Sequence, residues 1–182
     1  MHRSSRTLFR LAVFVLFALC SATAAAQEAT ITGTVEGRVG DAPITWYALQ
    51  FDVEGDLQDT VEVEDYGFVV EVTIQAHVEP RFFMTEALVI SASFASLEGC
   101  PCEASAVELF FLAEGSMFSN VYRADEGTLI VETATPVGEG RVRLTGSFAF
   151  VAAFHADAFG AGDPDDVIAL EGTFDVEGAP LQ

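Results

Sequence analysis

The sequence predicts an all-β fold, a single-domain antiparallel β-sandwich, with a partly closed β-barrel as the alternative. Two observations predict it. Apolar residues recur at every second position in short runs, the period of a half-buried strand, and those runs are punctuated by Gly- and Asp-rich turn signals with no convincing helical stretch between them. A third observation argues against disorder: the chain is 51% hydrophobic although its formal net charge is −20, so the acids sit on a real core.

The first strand is expected over Ala29–Glu36 and the second over Ile44–Asp52, parted by Gly40-Asp41. Trp46 and Tyr47 are adjacent in the second, so their rings face opposite sides, one toward the core and the other free to serve as a stacking platform. After the turn signal Glu54-Gly55-Asp56, the clearest alternation in the chain runs from Phe68 to His77. It sets Phe68, Val70, Val72, Ile74 and Ala76 on one face and Glu71, Thr73, Gln75 and His77 on the other. Further strands are expected at Leu88–Leu97, Val107–Ala113, Thr128–Thr133, Arg141–Phe154 and Val167–Val176. The stretch Phe148–Phe154 is almost wholly apolar, which predicts cover on both faces, from within the chain or from a partner subunit. A glycine recurs inside strands at Gly33, Gly146 and Gly172; sheet curvature with an aromatic ring packed over the glycine explains this better than a ligand lying on bare backbone.

Residues 1–26 are read as an address. Arg3, Arg6 and Arg10 precede the apolar run Leu11–Leu19, and small residues lead to Ala26, the layout of a secretory signal cleaved after Ala26. The mature domain is then 27–182, periplasmic or secreted, with no stretch apolar enough to span a membrane as a helix. Cys20 follows Leu19, where a lipid-attachment signal calls for a small residue. Export makes a disulfide the default for Cys100 and Cys102, the remaining cysteines. So short a loop gains only about 1.5 kcal/mol and fastens a turn.

Charge and composition exclude several functions. The 156 residues after Ala26 carry five arginines against 28 acids, a field that repels nucleic acid and anionic membrane surfaces. No lysine is present, which removes Schiff-base chemistry and the phosphate-gripping lysine of a P-loop. No G-x-S-x-G nucleophile elbow occurs.

Two clusters carry candidate chemistry. The acidic stretch Ala156–Asp166 holds Asp157, Asp163, Asp165 and Asp166 among glycines, carboxylates of the kind that gather around Ca²⁺; the competing reading is a solvated hairpin loop in which Asp and Gly serve turn geometry. The steps His77-Val78-Glu79 and His155-Ala156-Asp157 would each aim an imidazole and a carboxylate the same way along a strand. On neighbouring strands, His77, Glu79, His155 and Asp157 would resemble a zinc or iron site; otherwise both histidines are plain exposed imidazoles at strand ends. Cofactor-free is the default, with Ca²⁺ as the alternative.

Ile31-Thr32-Gly33-Thr34-Val35, Ile44-Thr45-Trp46-Tyr47, the run Val72-Thr73-Ile74-Gln75-Ala76-His77-Val78-Glu79, Ala113-Glu114-Gly115-Ser116-Met117 and a late Gly-Ser/Thr-Phe strand together resemble a group of uncharacterised exported bacterial all-β proteins. That resemblance implies export and an all-β fold and carries over no catalytic residue. The sequence is therefore read as a non-catalytic binding or structural module, monomeric or weakly dimeric, for a protein, glycan or small-ligand partner. The alternative is a small metal-dependent enzyme using the His/carboxylate set.

Overall fold

A computed structural model describes residues 29–138 and 140–179. The predicted signal segment 1–26 lies outside the described residues, and no helix among them is long and apolar enough to cross a membrane. The chain is all-β. Its strands are β1 (Thr30–Val39), β2 (Ala42–Val53), β3 (Asp56–Asp59), β4 (Val61–Asp65), β5 (Val70–Ala76), β6 (Ala87–Phe94), β7 (Cys102–Glu103), β8 (Ala106–Leu112), β9 (Val121–Ala124), β10 (Gly127–Gly138), β11 (Arg141–His155) and β12 (Asp163–Gly178). They form one antiparallel sheet in the order β3-β2-β1-β12-β11-β9-β8-β6-β5-β4, with β10 on β11 and β7 on β10.

The sheet is not closed into a barrel, but it folds over one main core drawn from nearly every strand. Trp46, Ile74, Leu88, Ile90, Leu109, Leu144 and Leu170 are fully buried in it. Its two ends meet. Thr60, between β3 and β4, donates its backbone N–H to Leu49 O on β2 and accepts at its carbonyl from Gln75 N on β5, both at 2.8 Å. Its hydroxyl also accepts from Leu49 N at 2.7 Å. One residue of chain thus changes partner from β2 to β5. Farther along, Tyr47 and His77 exchange two backbone hydrogen bonds directly, at 2.7 and 3.0 Å. An ion pair that no sequence spacing announces braces the same junction: Arg141 donates to both oxygens of Asp59 at 2.8 Å, and Gln50 adds a donor at 3.1 Å.

Two of the three strand glycines accept aromatic cover, while Gly33 sits at a register shift of the β1–β2 ladder against the backbone of Asp175 and Val176. Gly146 lies directly opposite Phe174, and Gly172 opposite Phe148, on the β11–β12 ladder. A Cβ on Gly146 would come within 2.4 Å of the Phe174 ring, and one on Gly172 within 3.0 Å of Phe148. Each phenyl ring fills the space that its partner's missing side chain leaves.

Several expectations are corrected. Phe68 does not share the inner face of the strand it precedes, because β5 begins only at Val70, after a Gly67 turn with φ +78°, and Phe68 is 84% exposed. The acidic stretch 156–166 is not all loop: Asp163, Asp165 and Asp166 already belong to β12, which leaves 156–162 as the connection. Phe148–Phe154 is covered on one face only, since Ala149 is exposed and Val151 is 66% exposed between buried Phe148, Phe150 and Ala152. Strands β3, β4, β7 and β9 escaped the pattern because each spans only two to five residues, too few for a period of two to register.

Candidate functional site

The predicted acidic cluster is spread out and locally occupied. Asp157 Oδ1 accepts the Phe159 N–H at 3.0 Å, and Asp163 Oδ1 accepts that of Asp165 at 2.9 Å, the usual work of Asp at turns and strand starts. Asp165 and Asp166 are consecutive on a strand and point to opposite faces. Asp166 accepts from the Tyr122 hydroxyl at 3.0 Å; partial burial pushes that phenol's pKa up, and the Asp166 contact pushes it further. Among the described residues no three His, Cys, Asp or Glu side chains gather in a metal-binding arrangement.

The His/carboxylate set is not brought together on neighbouring strands. His77 follows β5 and His155 ends β11, and β6, β8 and β9 lie between them in the sheet. Glu79 is engaged by Arg81 at 2.6 Å, and His155 Nδ1 lies 3.1 Å from Gly160 O. Cys100 and Cys102 do come together, with sulfurs at disulfide distance and Cα atoms 4.6 Å apart.

His77 is not the exposed imidazole its polar neighbours suggested; it is 0% exposed. The segment 78–86 folds back over it. Nδ1 lies 2.7 Å from Phe83 O and 3.4 Å from Phe83 N; the shorter contact to the carbonyl requires a proton on Nδ1, and with that tautomer the neutral ring accepts at Nε2 from Gln75 Nε2 at 3.2 Å. Phe82 packs on the imidazole with ring centroids 5.0 Å apart and reaches Phe51 on its other side. Burial pushes the imidazole pKa below its ordinary value, and the Phe83 carbonyl opposes that only in part. The far end of the same segment is held by Trp46, whose indole N–H donates to Glu86 O at 2.7 Å. Trp46 is thus the core ring of its pair, while Tyr47 stands at the junction.

The outer face of β1, β12 and β11 is open. Gly37 faces Gly172 across the β1–β12 ladder, both turned toward the Trp46 and Phe148 rings of the core, and beside them lies a shallow depression of about 500 Å³ bordered by Glu36, Arg38, Ala149, Glu171 and Thr173. It runs into an apolar strip. Ala149 pairs with Glu171, Val151 with Ala169 and Ala153 with Val167, so these residues share one face; Ala149, Val151, Val167 and Ala169 are all exposed. The connection at the end of this hairpin carries Phe159, 67% exposed, whose ring centroid lies 6.5 Å from that of Phe118, itself 61% exposed. A second depression of about 310 Å³ on β1, β11 and β12 holds Arg143 and Asp175. Two 2.6 Å hydrogen bonds from Arg143 hold the Asp175 carboxyl below the usual range.

Sequence reasoning missed the pairing of Gly37 with Gly172, which depends on strand register, and the Asp59–Arg141 pair. Glu62, beside that pair on β4, has its pKa raised, first by burial and then by the charges of Glu64 and Asp59. No family, curated protein or solved structure matches the chain.

Proposed function

We propose that the chain is an exported, non-catalytic binding module whose binding face is the outer surface of β1, β12 and β11. The observation that carries this reading is the bare strip of Ala149, Val151, Val167 and Ala169 in the middle of a sheet. Strand interiors of this composition are ordinarily covered. The proposed occupant is a segment of a partner protein with an apolar centre and cationic flanks. Its charge follows from a chain of net −20 and from Glu171, Asp157, Asp163 and Asp165 at the two ends of the strip. Arg123 is neutralised by Glu108 at 2.9 Å and Asp125 at 2.8 Å, and Arg38, at the other end of the face, lies opposite Glu171 on the β1–β12 ladder.

The test is calorimetric titration with two synthetic peptides of equal charge, one alternating Leu and Lys and the other Ser and Lys. The Leu-containing peptide is expected to bind more tightly, to weaken with salt, and to lose at least about tenfold in affinity (about 1.4 kcal/mol) to the double variant Val151→Gln, Val167→Gln. Equal binding of the two peptides, or no loss in the double variant, overturns the reading. A dimer seen by sedimentation that the double variant abolishes would replace the cationic partner with a second copy. Repeating the titration with Ca²⁺ separates a cation-assisted form, in which affinity rises with the ion and falls in Asp163→Ala.

A further inference from the structure

His77 sits where the two ends of the sheet meet. Its backbone forms the bridge to Tyr47, and its ring, from the opposite side of the same residue, holds the segment that crosses the junction. Both ring nitrogens are committed, and the arrangement works for one protonation state only. A neutral imidazole can donate from Nδ1 to Phe83 O while accepting at Nε2; an imidazolium has two donors, and its Nε2–H would meet the Gln75 amide N–H₂. Turning that amide over would supply an acceptor, at the cost of the Gln75 contact with Met84 Sδ, but it would not supply a counter-charge.

No acid of the surrounding elements is turned to the ring. On the crossing segment, Glu79 is paired with Arg81 at the surface and Glu86 is exposed. On β2, Asp52 caps Gly55 at the far end of the strand, and the Tyr47 phenol is the other titratable group. Asp59 of β3 is held by Arg141; Glu62 and Glu64 of β4 lie opposite Thr73 and Glu71, farther down β5. A proton on His77 would therefore be a buried charge against the Phe82 ring, a state that proteins relieve by moving the group to water.

We propose that His77 is an acid-operated latch: the neutral imidazole clamps segment 78–86 across the junction of β2 and β5, and its protonation releases that segment while the sheet stays paired. Release would begin at Phe82 and Phe83 and uncover Phe51; Glu86 is also tied to Leu112 O through its own N–H at 2.7 Å, and opening that reaches it would free the Trp46 indole N–H from Glu86 O. The sign follows from burial. The latched imidazole has a pKa below the ordinary 6.5, so the open form takes up the proton more readily. The latch is fully closed above about 6.5 and loses ground as pH falls through that value, the opening equilibrium growing by up to about tenfold per pH unit.

The chain carries one tryptophan, and it lies at the far end of the latched segment. Hydrogen exchange, corrected for its intrinsic pH dependence, is expected to accelerate at residues 82–87 and at the Trp46 indole between pH 7 and 5, with a matching change in Trp46 emission. Amides in the middle of β8 and β11 should stay protected throughout. His77→Gln, which cannot take the proton, should remove the pH dependence. If that variant does not fold, an NMR titration of the wild-type protein decides instead: the His77 imidazole should titrate below 6.5 in step with the Phe83 and Glu86 amides. Exchange at 82–87 that ignores pH, that keeps its pH dependence in His77→Gln, or that rises only together with the whole sheet overturns the latch.

Discussion

β6 and the second half of β11 are both nearly continuous apolar runs, Ala87–Phe94 and Phe148–Phe154, yet the fold treats them differently. On β6 both faces are buried from Ala87 to Ile90. The inner face joins the main core, and on the outer face Ala87 and Val89 pack with Leu112, Val121 and Ala158 under Met84, Phe110 and Met117. The cover comes from connections strapped to each other and to the sheet. Glu86 N donates to Leu112 O at 2.7 Å, Ala158 N to Phe118 O at 3.0 Å, and Arg123 holds Ala158 O at 3.1 Å. On β11 the outer face of the same kind of sequence is left exposed along Ala149 and Val151 among the described residues. A run of apolar residues records that a strand is made to be covered; only the connections decide whether its own chain provides the cover.

That contrast can be broken at either end. Leu112→Ala, beneath the strapped connections, should cost about 2–5 kcal/mol, read as a drop in the midpoint of urea unfolding. Gly172→Ala tests the inner support of the open face. Its new methyl would stand 2.4 Å from Glu36 O and 3.0 Å from the Phe148 ring, and the overpacking should cost about 1–3 kcal/mol in the same measurement. The smallest effect belongs to the open strip itself. Val151→Gln with Val167→Gln should shift stability by no more than about 0.5 kcal/mol, because neither side chain gives up native contacts worth more. A large loss there would mean that the strip is already covered within the chain, and the contrast with β6 would disappear.

The longer strands and the all-β class were legible because period-two alternation needs only a half-buried face, as from Val70 to Ala76. The role of Gly146 and Gly172, though not of Gly33, was legible for a related reason: a ring opposite a glycine is a local device of paired strands. What could not be read was anything set by register between distant segments, such as Gly37 opposite Gly172 or Arg141 against Asp59. His77 illustrates the limit best. Its polar neighbours Gln75 and Glu79 mark a solvent-facing position, and it is buried only because a segment nine residues long returns over it, an event with no signature in the alternation itself.

The position of β12 has a consequence in time. The last strand of the chain is inserted between β1, the first, and β11, so the ladder that joins Gly33 to Val176 and Val39 to Leu170 must wait for the C-terminal end. Pairing across nearly the whole length of the chain makes for slow folding, and a chain emerging from its N-terminus cannot finish its sheet early. Until β12 arrives, β1 and β11 are unfilled edges, and for that interval the protein is at its most vulnerable to pairing with the wrong strand.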